Sequence, residues 1–431
     1  MEDREILDLM EEGNLVACTF FCECSLDDRV VRPVRWVLTQ ETRNTIQTPV
    51  CDRCKVMEEM NPYAGLAFRP MFPDGNIPHM VRNQVLGRIP REWRERMTMK
   101  PDVRPNIYAH PAFRGIEYGP QALMEFAARL CYNSVGSMGR SPTFLEDLWE
   151  REHYDVFEHA AFVYRLLPDE LAAMSRGGTP DGVLDTFRFA RVVYDRGEDV
   201  YWVLANARVI RSWGEEFAGW YMAYDRATMD PNIVKRPPPS LSIGDISVSL
   251  LADVYHPRSA LGHMAFLIEG ISRTASHQLV RHRLMSYSQE SQRYVDMAEH
   301  PVVMPPSIVG RARIPFTNAM SESRRSYVEL RGMRIRKEDA RFVLPEAMMT
   351  RMVMSGPFDG WEHFFWLRAL DKAAQWEIRT VALICLALST HEHPAFVEQR
   401  GVALDNMELL AKHMDREDVE RLSLYLKGGE S

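Results

Sequence analysis

RHRLMSYSQESQRY, residues 281–294, sets Arg281, His282, Arg283 and Arg293 within fourteen positions and offers only Glu290 to balance them. An ordinary solvated face intersperses its charges, so this density calls for an anion from outside the stretch. Overlapping it, ISRTASHQLVRHR (271–283) reads as a helix in which Gln278, Arg281 and His282 fall at i, i+3 and i+4, one polar face at its C-terminal end. Arginine presents a planar fork of donors matched to phosphate oxygens, glutamine both donates and accepts at a base or sugar edge, and serine adds hydroxyls. Arg281, Arg283, Ser291 and Arg293 together make a site for phosphorylated ligands. The competing reading, arginines that bridge helices or subunits, is opposed by the shortage of carboxylates, since SYSQESQ is a polar loop and not an acidic partner. Single-strand nucleic-acid binding would need a longer basic track interleaved with aromatics.

The rest of the chain bounds what such a site can belong to. With 431 residues there is length for two or three domains, or for one large enzyme fold with additions, and 46% hydrophobic against 26% charged residues is a globular balance. The net charge of −8 argues against general nucleic-acid coating, so any polyanion site is local. No apolar run reaches the roughly 18 residues of a membrane span, and the opening MEDREILDLMEEGN is acidic, which leads to the expectation of a cytoplasmic protein without a membrane partner. Seven cysteines, an odd number without a dense framework, suit a reducing compartment. The twenty-five methionines read as adaptable core filler.

Residues 1–60 carry two close cysteine pairs, Cys22-Glu23-Cys24 and Cys51-Asp52-Arg53-Cys54, with Cys18 a further candidate. Between them VVRPVRWVL (30–38) alternates and is β-rich, so two knuckles on short strands would hold one structural Zn²⁺ through Cys22, Cys24, Cys51 and Cys54; free buried cysteines stay open as the alternative. Residues 61–116 read as a connector rich in proline, arginine and methionine. Beyond it an α+β domain begins: GPQALMEFAARLCYNS (119–134) places Leu123, Phe126, Ala127 and Leu130 at helical spacing, and HYDVFEHAAFVYRL (153–166) turns β-rich. VLDTFRFARVVY (183–194) predicts a helix and VYWVLANARVIRSWGEEFAGWYM (200–222) an aromatic helix or strand, and GHMAFLIEGISR (262–273) echoes EHAAFVYRL (158–166). That echo suggests an insertion over 167–262, with a degenerate partial duplication as runner-up. The C-terminal third reads as helical, with a first helix stopped near Pro345, one long core helix over 361–388 containing the embedded charges Arg368 and Glu377, and a helical tail from 396. An arginine inside such an apolar run needs a partner or a ligand.

Arg281-His282-Arg283, seven residues and then Ser291 resembles the signature of the flavin-dependent thymidylate synthases, and SHQLVRHRLMSYSQESQRYV is similar to that family nearly throughout. The similarity extends to GPQALMEFAARLCYNS, HYDVFEHAAF, ARFVLPEAMMTR and FFWLRALDKAAQWEIR, so it covers 117–166 and 263–395. It implies a core of antiparallel sheet with long helices, a homotetramer with FAD at subunit junctions, and conversion of dUMP to dTMP with methylenetetrahydrofolate as one-carbon donor and NADPH as reductant. On that resemblance Arg281, His282 and Arg283 match the flavin-binding triplet, and His153 falls near the flavin. Gln278, Arg281, Gln289, Ser291 and Arg293 match dUMP-holding positions, with Arg341 on the other side of the nucleotide. Arg368 matches the arginine that polarises the uracil ring. The residue chemistry agrees, because a guanidinium in an apolar setting stabilises charge at N3 and O4 without giving up its proton. Neither Cys131 nor Cys385 has neighbours that suggest an activated thiolate, and Ser291 lacks an adjacent base, so it reads as a ligand-binding hydroxyl.

The pattern breaks in two places. Where the family carries an Asn-x-Arg triplet that helps bind flavin, this chain has Pro357-Phe358-Asp359, while Asn206-Ala207-Arg208 inside the insertion has a similar context. Asn206 and Arg208 are therefore expected to supply a displaced flavin contact, unless the triplet is a chance one on a structural helix. Asp155 stands where the family has a small hydroxyl residue, and a carboxylate near a pyrophosphate must pair or point away. Two other functions compete: a flavin-dependent (hydroxy)methylase of another pyrimidine nucleotide, and a non-catalytic nucleotide-binding protein with a zinc ribbon. Arg368 argues against the second, because a binding module has no use for a ring-polarising arginine.

Overall fold

The computed structural model describes residues 101–111, 119–140, 143–168, 190–213, 237–389 and 391–428, together with the strand segments 15–21, 33–39, 69–70 and 233–234. Two compact units result, Met1–Met99 with Pro168–Arg188, and Lys100–Leu167 with Phe189–Ser431. In the first, β1 (Leu15–Phe21) lies between β2 (Pro33–Thr39) and β3 (Arg69–Pro70), both antiparallel to it. β2 falls in the stretch expected to be β-rich. The four cysteines predicted to hold zinc, Cys22, Cys24, Cys51 and Cys54, lie outside the described residues.

The second unit runs β4 (Asn106–Tyr108), α1 (Pro120–Cys131), α2 (Phe144–Glu150), β5 (Ala161–Leu166), β6 (Ala190–Asp195), β7 (Val200–Asn206), α3 (Ala207–Trp213), β8 (Ile233–Val234), β9 (Ser240–Ile243), β10 (Ile246–His256), β11 (Leu261–Ser272), α4 (Arg273–Leu279), β12 (Ser286–Gln289), α5 (Arg313–Gly332), α6 (Lys337–Ala340), β13 (Met349–Pro357), α7 (Phe358–Phe364), α8 (Trp376–Leu388), α9 (Pro394–Asp405), α10 (Met407–Leu410) and α11 (Arg416–Leu426). Seven strands form one sheet in the order β12-β13-β11-β10-β4-β8, with β9 added on β10. All its pairs are antiparallel except β4 with β8. A second sheet, β5-β7-β6, is joined to β10 and β11 through Val163, Trp202, Leu204, Val254 and Leu261. The arrangement is α+β, as the sequence predicts. Among the described residues no helix is long and apolar enough to cross a membrane.

The core is built on α8. Every residue from Glu377 to Leu388 is buried, packed with α7, α9 and the apolar positions of β10, β11 and β13. α1 likewise buries Leu123, Phe126, Ala127 and Leu130, as its spacing requires.

Four local expectations need correction. ARVVY (190–194) is not helical: Ala190–Asp195 is β6, where β-branched Val192 and Val193 pair with Val203 and Trp202 of β7, while the rest of that predicted helix lies outside the described residues. The C-terminal third is not all helix, because Met349–Pro357 is the strand β13, whose residues Met352–Gly356 are buried in succession between β11 and β12. The long helix over 361–388 is broken. After α7 the chain widens into a π-turn, Phe365–Leu370, closed by Asp371 N–H on the Trp366 carbonyl (3.1 Å), and α8 starts afresh with the Gln375 side chain accepting from Glu377 N–H (3.0 Å) and Ile378 N–H (3.3 Å). Finally, the helix expected over 271–283 is only Arg273–Leu279, since Ile271 and Ser272 still belong to β11. A bulge between Ile268 and Ile271 bends β11 there. Gly270 has φ +76°, and a Cβ on it would stand 1.8 Å from the Asp245 carbonyl oxygen, so only glycine fits.

Candidate active site

The site grows from the junction of β11 and α4. Ser272 is the N-cap: its hydroxyl accepts from Ala275 N–H (3.1 Å) and donates to Glu377 (2.7 Å), while its own N–H donates to the other Glu377 oxygen (2.5 Å). α4 then carries Gln278 in its last turn, half-buried and without a side-chain partner among the described residues. Past Leu279 the backbone tightens, with Arg281 N–H on the Gln278 carbonyl (3.4 Å) and His282 N–H on the Leu279 carbonyl (3.0 Å). This tightening separates residues that an ideal helix would place on one face. Arg281 is exposed with no side-chain hydrogen bond or ion pair among the described residues, Arg283 is exposed, and His282 turns inward to 7% exposure.

His282 there meets Arg368. The Arg368 Nε–H donates to His282 Nε2 at 3.0 Å, so that nitrogen is an unprotonated acceptor. The imidazole lies edge-on to Phe364 (5.0 Å). Burial lowers its pKa to about 4, and Arg368 and His363 push in the same direction. The Tyr287 hydroxyl bonds the carbonyls of Leu279 (2.5 Å) and His282 (2.9 Å), which pins the turn from below. Arg368 itself sits on the π-turn, half-buried rather than enclosed, and its terminal nitrogens have no hydrogen-bond partner among the described residues. Such turns interrupt a helix at a cost and recur at functional sites.

A second polar cluster flanks the first on β12. The Ser286 hydroxyl donates to Glu158 (2.5 Å), which also pairs with Arg208. His159, fully buried, bridges Ser355 through Nδ1 (2.8 Å) and Ser288 through Nε2 (2.9 Å), and burial lowers its pKa to about 3. A neutral ring can donate at one nitrogen and accept at the other, which satisfies both serines. Burial raises the Glu158 carboxyl above its usual range against the opposing pull of Ser286 and Arg208. The Cys131 thiol lies against Ser288 and is pushed up to about 11 by burial and then by Asp155, while the Cys131 carbonyl accepts from Ser291 N–H (3.0 Å). Glu158-His159 was the informative signal in HYDVFEHAAF, and sequence reasoning took only His153 and Asp155 from it. His153 is exposed, three residues before Val156 turns into the core.

The remaining predicted nucleotide ligands line the edge beyond. Gln289 donates to the Thr350 hydroxyl (3.3 Å), and the Ser291 hydroxyl accepts from Arg293 N–H (3.3 Å). Arg293 reaches the Glu338 carboxylate (3.4 Å) and the Arg341 Nε–H donates to the Glu338 carbonyl (3.1 Å), so α6 brings these two arginines to one place. Glu290, the one acid in the opening stretch, does not neutralise its arginines: it is buried against Arg351 (3.0 Å) and His300 (3.1 Å). Burial works to raise its pKa, but His300 and Arg351 outweigh it and hold the carboxyl below the usual range.

Residues 190–213, within the stretch expected to be an insertion, meet this region twice. Arg208, expected at the flavin, pairs with Glu158, and Asn206 accepts from Val209 N–H (3.1 Å) through its side chain, capping α3. Asp359, at the position where the resemblance leads to the expectation of an arginine, pairs with Arg191 of β6 at 2.9 Å. Asp155 points outward and is exposed. Among the described residues no group of three or more His, Cys, Asp or Glu is placed to hold a metal.

Over residues 256–395 the chain matches the family profile described as thymidylate synthase complementing protein. A flavin-dependent thymidylate synthase of Geobacter sulfurreducens is 41% identical over 169 residues, which take in 37% of this chain and 72% of that one. A protein of the same description from Nitratidesulfovibrio vulgaris is 37% identical over 161 residues, 35% of this chain and 65% of its own length. One from Pyrococcus abyssi reaches 43% over 136 residues, 30% and 55% of the respective chains.

Proposed function

Since the chain belongs to the flavin-dependent thymidylate synthase family, we propose that it converts dUMP to dTMP, with methylenetetrahydrofolate as one-carbon donor and NADPH as reductant. The observation that carries this reading is the 3.0 Å bond from Arg368 to His282, which ties the ring-polarising arginine to the triplet expected at the flavin. With Nε committed to His282, Arg368 keeps its terminal nitrogens for the ligand, and a guanidinium stays charged at any working pH. It stabilises negative charge at N3 and O4 of the uracil, which makes carbon 5 nucleophilic. Gln278 and Arg281 are unengaged donors at the end of α4, and Arg293 and Arg341 meet at α6, so the donor set suits a phosphorylated pyrimidine.

The same donors suit a flavin: exposed Arg281 and Arg283 face its phosphates, with His282 behind them. FAD, when bound, supplies the redox equivalents of the reaction. No thiolate is required from the chain, and burial raises both Cys131 and Cys385 well above the ordinary thiol range. A homotetramer fits α5, whose twenty residues bury only Tyr327, beside Met333 at 71% and Phe342 at 83% exposure. Residues 117–166 and 263–395 form the catalytic core around the 167–262 segment, whose strands β9 and β10 complete the core sheet, in a cytoplasmic protein.

An anaerobic incubation with dUMP, methylenetetrahydrofolate, NADPH and FAD, followed by nucleotide chromatography, tests the reading. dTMP is the expected product. A hydroxymethylated nucleotide would shift the reaction to the related methylase, and no product from FAD-loaded protein would overturn both.

A further inference from the structure

Glu377 is 2% exposed and has no cationic partner among the described residues, yet a buried carboxylate is costly unless its lone pairs are filled. Its two oxygens are taken up by a single residue, the N–H (2.5 Å) and the hydroxyl (2.7 Å) of Ser272. Ser272 is the hinge between β11 and α4 and caps the helix that leads to Gln278 and Arg281. Glu377 belongs to the first turn of α8, the most buried helix of the unit, which follows directly on the π-turn bearing Arg368. We propose that Glu377 is a positioning residue of the nucleotide site: its carboxylate fixes α4, and with it Gln278 and Arg281, relative to Arg368. The proposal rests on the nucleotide reading above.

Two features make a carboxylate the right group. The first amides of α4, from Arg273 and Thr274, go to the carbonyls of Met348 (3.0 Å) and Glu346 (3.1 Å), so the helix is already tethered along one side and needs a second anchor to fix its direction. A carboxylate accepts from both Ser272 donors at once, and each bond is strengthened by the charge. Glutamine accepts the N–H, and its amide nitrogen can only donate to the hydroxyl's second lone pair, which reverses that bond, leaves the Ser272 hydroxyl proton without its carboxylate acceptor and removes the charge from both contacts. Glu377→Gln therefore removes the charge assistance and the acceptor for the Ser272 hydroxyl proton, and keeps the shape.

The test compares wild type, Glu377→Gln and Glu377→Ala, each loaded with FAD, by steady-state kinetics and by amide exchange of the segment 273–280. Loss of the charge-assisted hydroxyl–carboxylate bond predicts a rise of about tenfold in KM for dUMP in Glu377→Gln with kcat changed by no more than about twofold, and faster exchange in 273–280. Glu377→Ala exceeds it in both, and Gln partly rescues Ala. Adding Glu377→Gln to Ser272→Ala changes little further, because Ser272→Ala already removes the hydroxyl that the carboxylate holds, together with the helix cap. A Gln variant with wild-type KM and wild-type exchange overturns the proposal, as does a uniform loss of kcat, flavin and melting temperature without a selective KM effect. If Glu377→Ala fails to fold, the Gln variant decides. Should wild type make no dTMP, the nucleotide reading fails by itself, and the exchange data still decide whether Glu377 holds α4.

Discussion

Replacing His282 by phenylalanine removes the acceptor for Arg368 and keeps a ring of similar size edge-on to Phe364. One hydrogen bond to a charged group contributes about 1.5–3 kcal/mol, and Arg368 is half-buried, which places the loss near the lower end. If Arg368 acts at the transition state, about 1.5 kcal/mol corresponds to a roughly tenfold fall in kcat/KM for dUMP. His282→Gln retains an acceptor and falls less. The assay is initial rate against dUMP at saturating FAD, with flavin absorbance recorded on the same sample, because His282 also belongs to the triplet expected at the cofactor.

Titration gives the same experiment a second arm. His282 is lowered from its ordinary 6.5 to about 4, so between these values the unfolded chain binds a proton that the folded one refuses. Stability from this residue is full above about 6.5 and is lost as pH falls through 4. At pH 5 the loss is at most about 2 kcal/mol, reduced toward about 1 by solvent reaching the neighbouring Arg368. His282→Phe lacks this contribution, and its denaturation midpoint falls less between pH 7.5 and 5 than that of wild type. A FAD-loaded phenylalanine variant with kcat/KM within about twofold of wild type, or with the same pH slope of stability, would refute the coupling of His282 to Arg368.

Gly270→Ala drives a Cβ to 1.8 Å from the Asp245 carbonyl at a positive φ, and a loss of about 3 kcal/mol or more in denaturant titration is expected; an unchanged midpoint would mean the bulge is not constrained there. Asn206→Ala removes the cap on Val209 N–H and costs about 1 kcal/mol, and joined with Arg208→Ala it lowers FAD occupancy if this pair supplies the displaced flavin contact. Full occupancy in the double variant confines both residues to a structural role. His159 and His263 are each held neutral by burial, down to about 3, so stability declines as pH falls from 6.5 toward 3, and a flat profile between pH 6.5 and 4.5 would contradict their burial as neutral rings.

How far the sequence carried these conclusions depended on how local each signal was. α1 was legible because Leu123, Phe126, Ala127 and Leu130 repeat at helical spacing, and the ligand-binding stretch because its charge had no local counterpart. β13 was not, since a continuously buried strand has no alternation to separate it from a buried helix segment. The breaks around Arg368 and Arg281 depend on a side chain acting as a cap and on an aromatic hydroxyl gripping two carbonyls, neither of which has a periodic signature. Glu158 and His159 were missed for a similar reason. Their partners Ser286, Ser288 and Ser355 lie more than a hundred positions away, and only folding reveals that the two residues are spoken for.

The charge balance of the site separates its two halves. On the proposed nucleotide side the acids are committed elsewhere: Glu290 serves Arg351 and His300, Glu377 serves Ser272, and Glu338 pairs with Arg336 at 3.0 Å and reaches Arg293 at 3.4 Å. Arg281 and Arg341 thus keep their charge available for a phosphate, which is what an excess of arginine without carboxylates required at the outset. The other half has exchanged its charges. Asp359 stands where the resemblance leads to the expectation of an arginine, and β6 supplies Arg191 to meet it, so a cation is present there but is partly neutralised by its partner. A half-exposed pair of this kind contributes little to stability, roughly 0–1 kcal/mol. On the flavin reading the pair therefore matters for what it sets locally rather than for what it adds to the fold, and β6 then belongs to the flavin side rather than being an appendage to it.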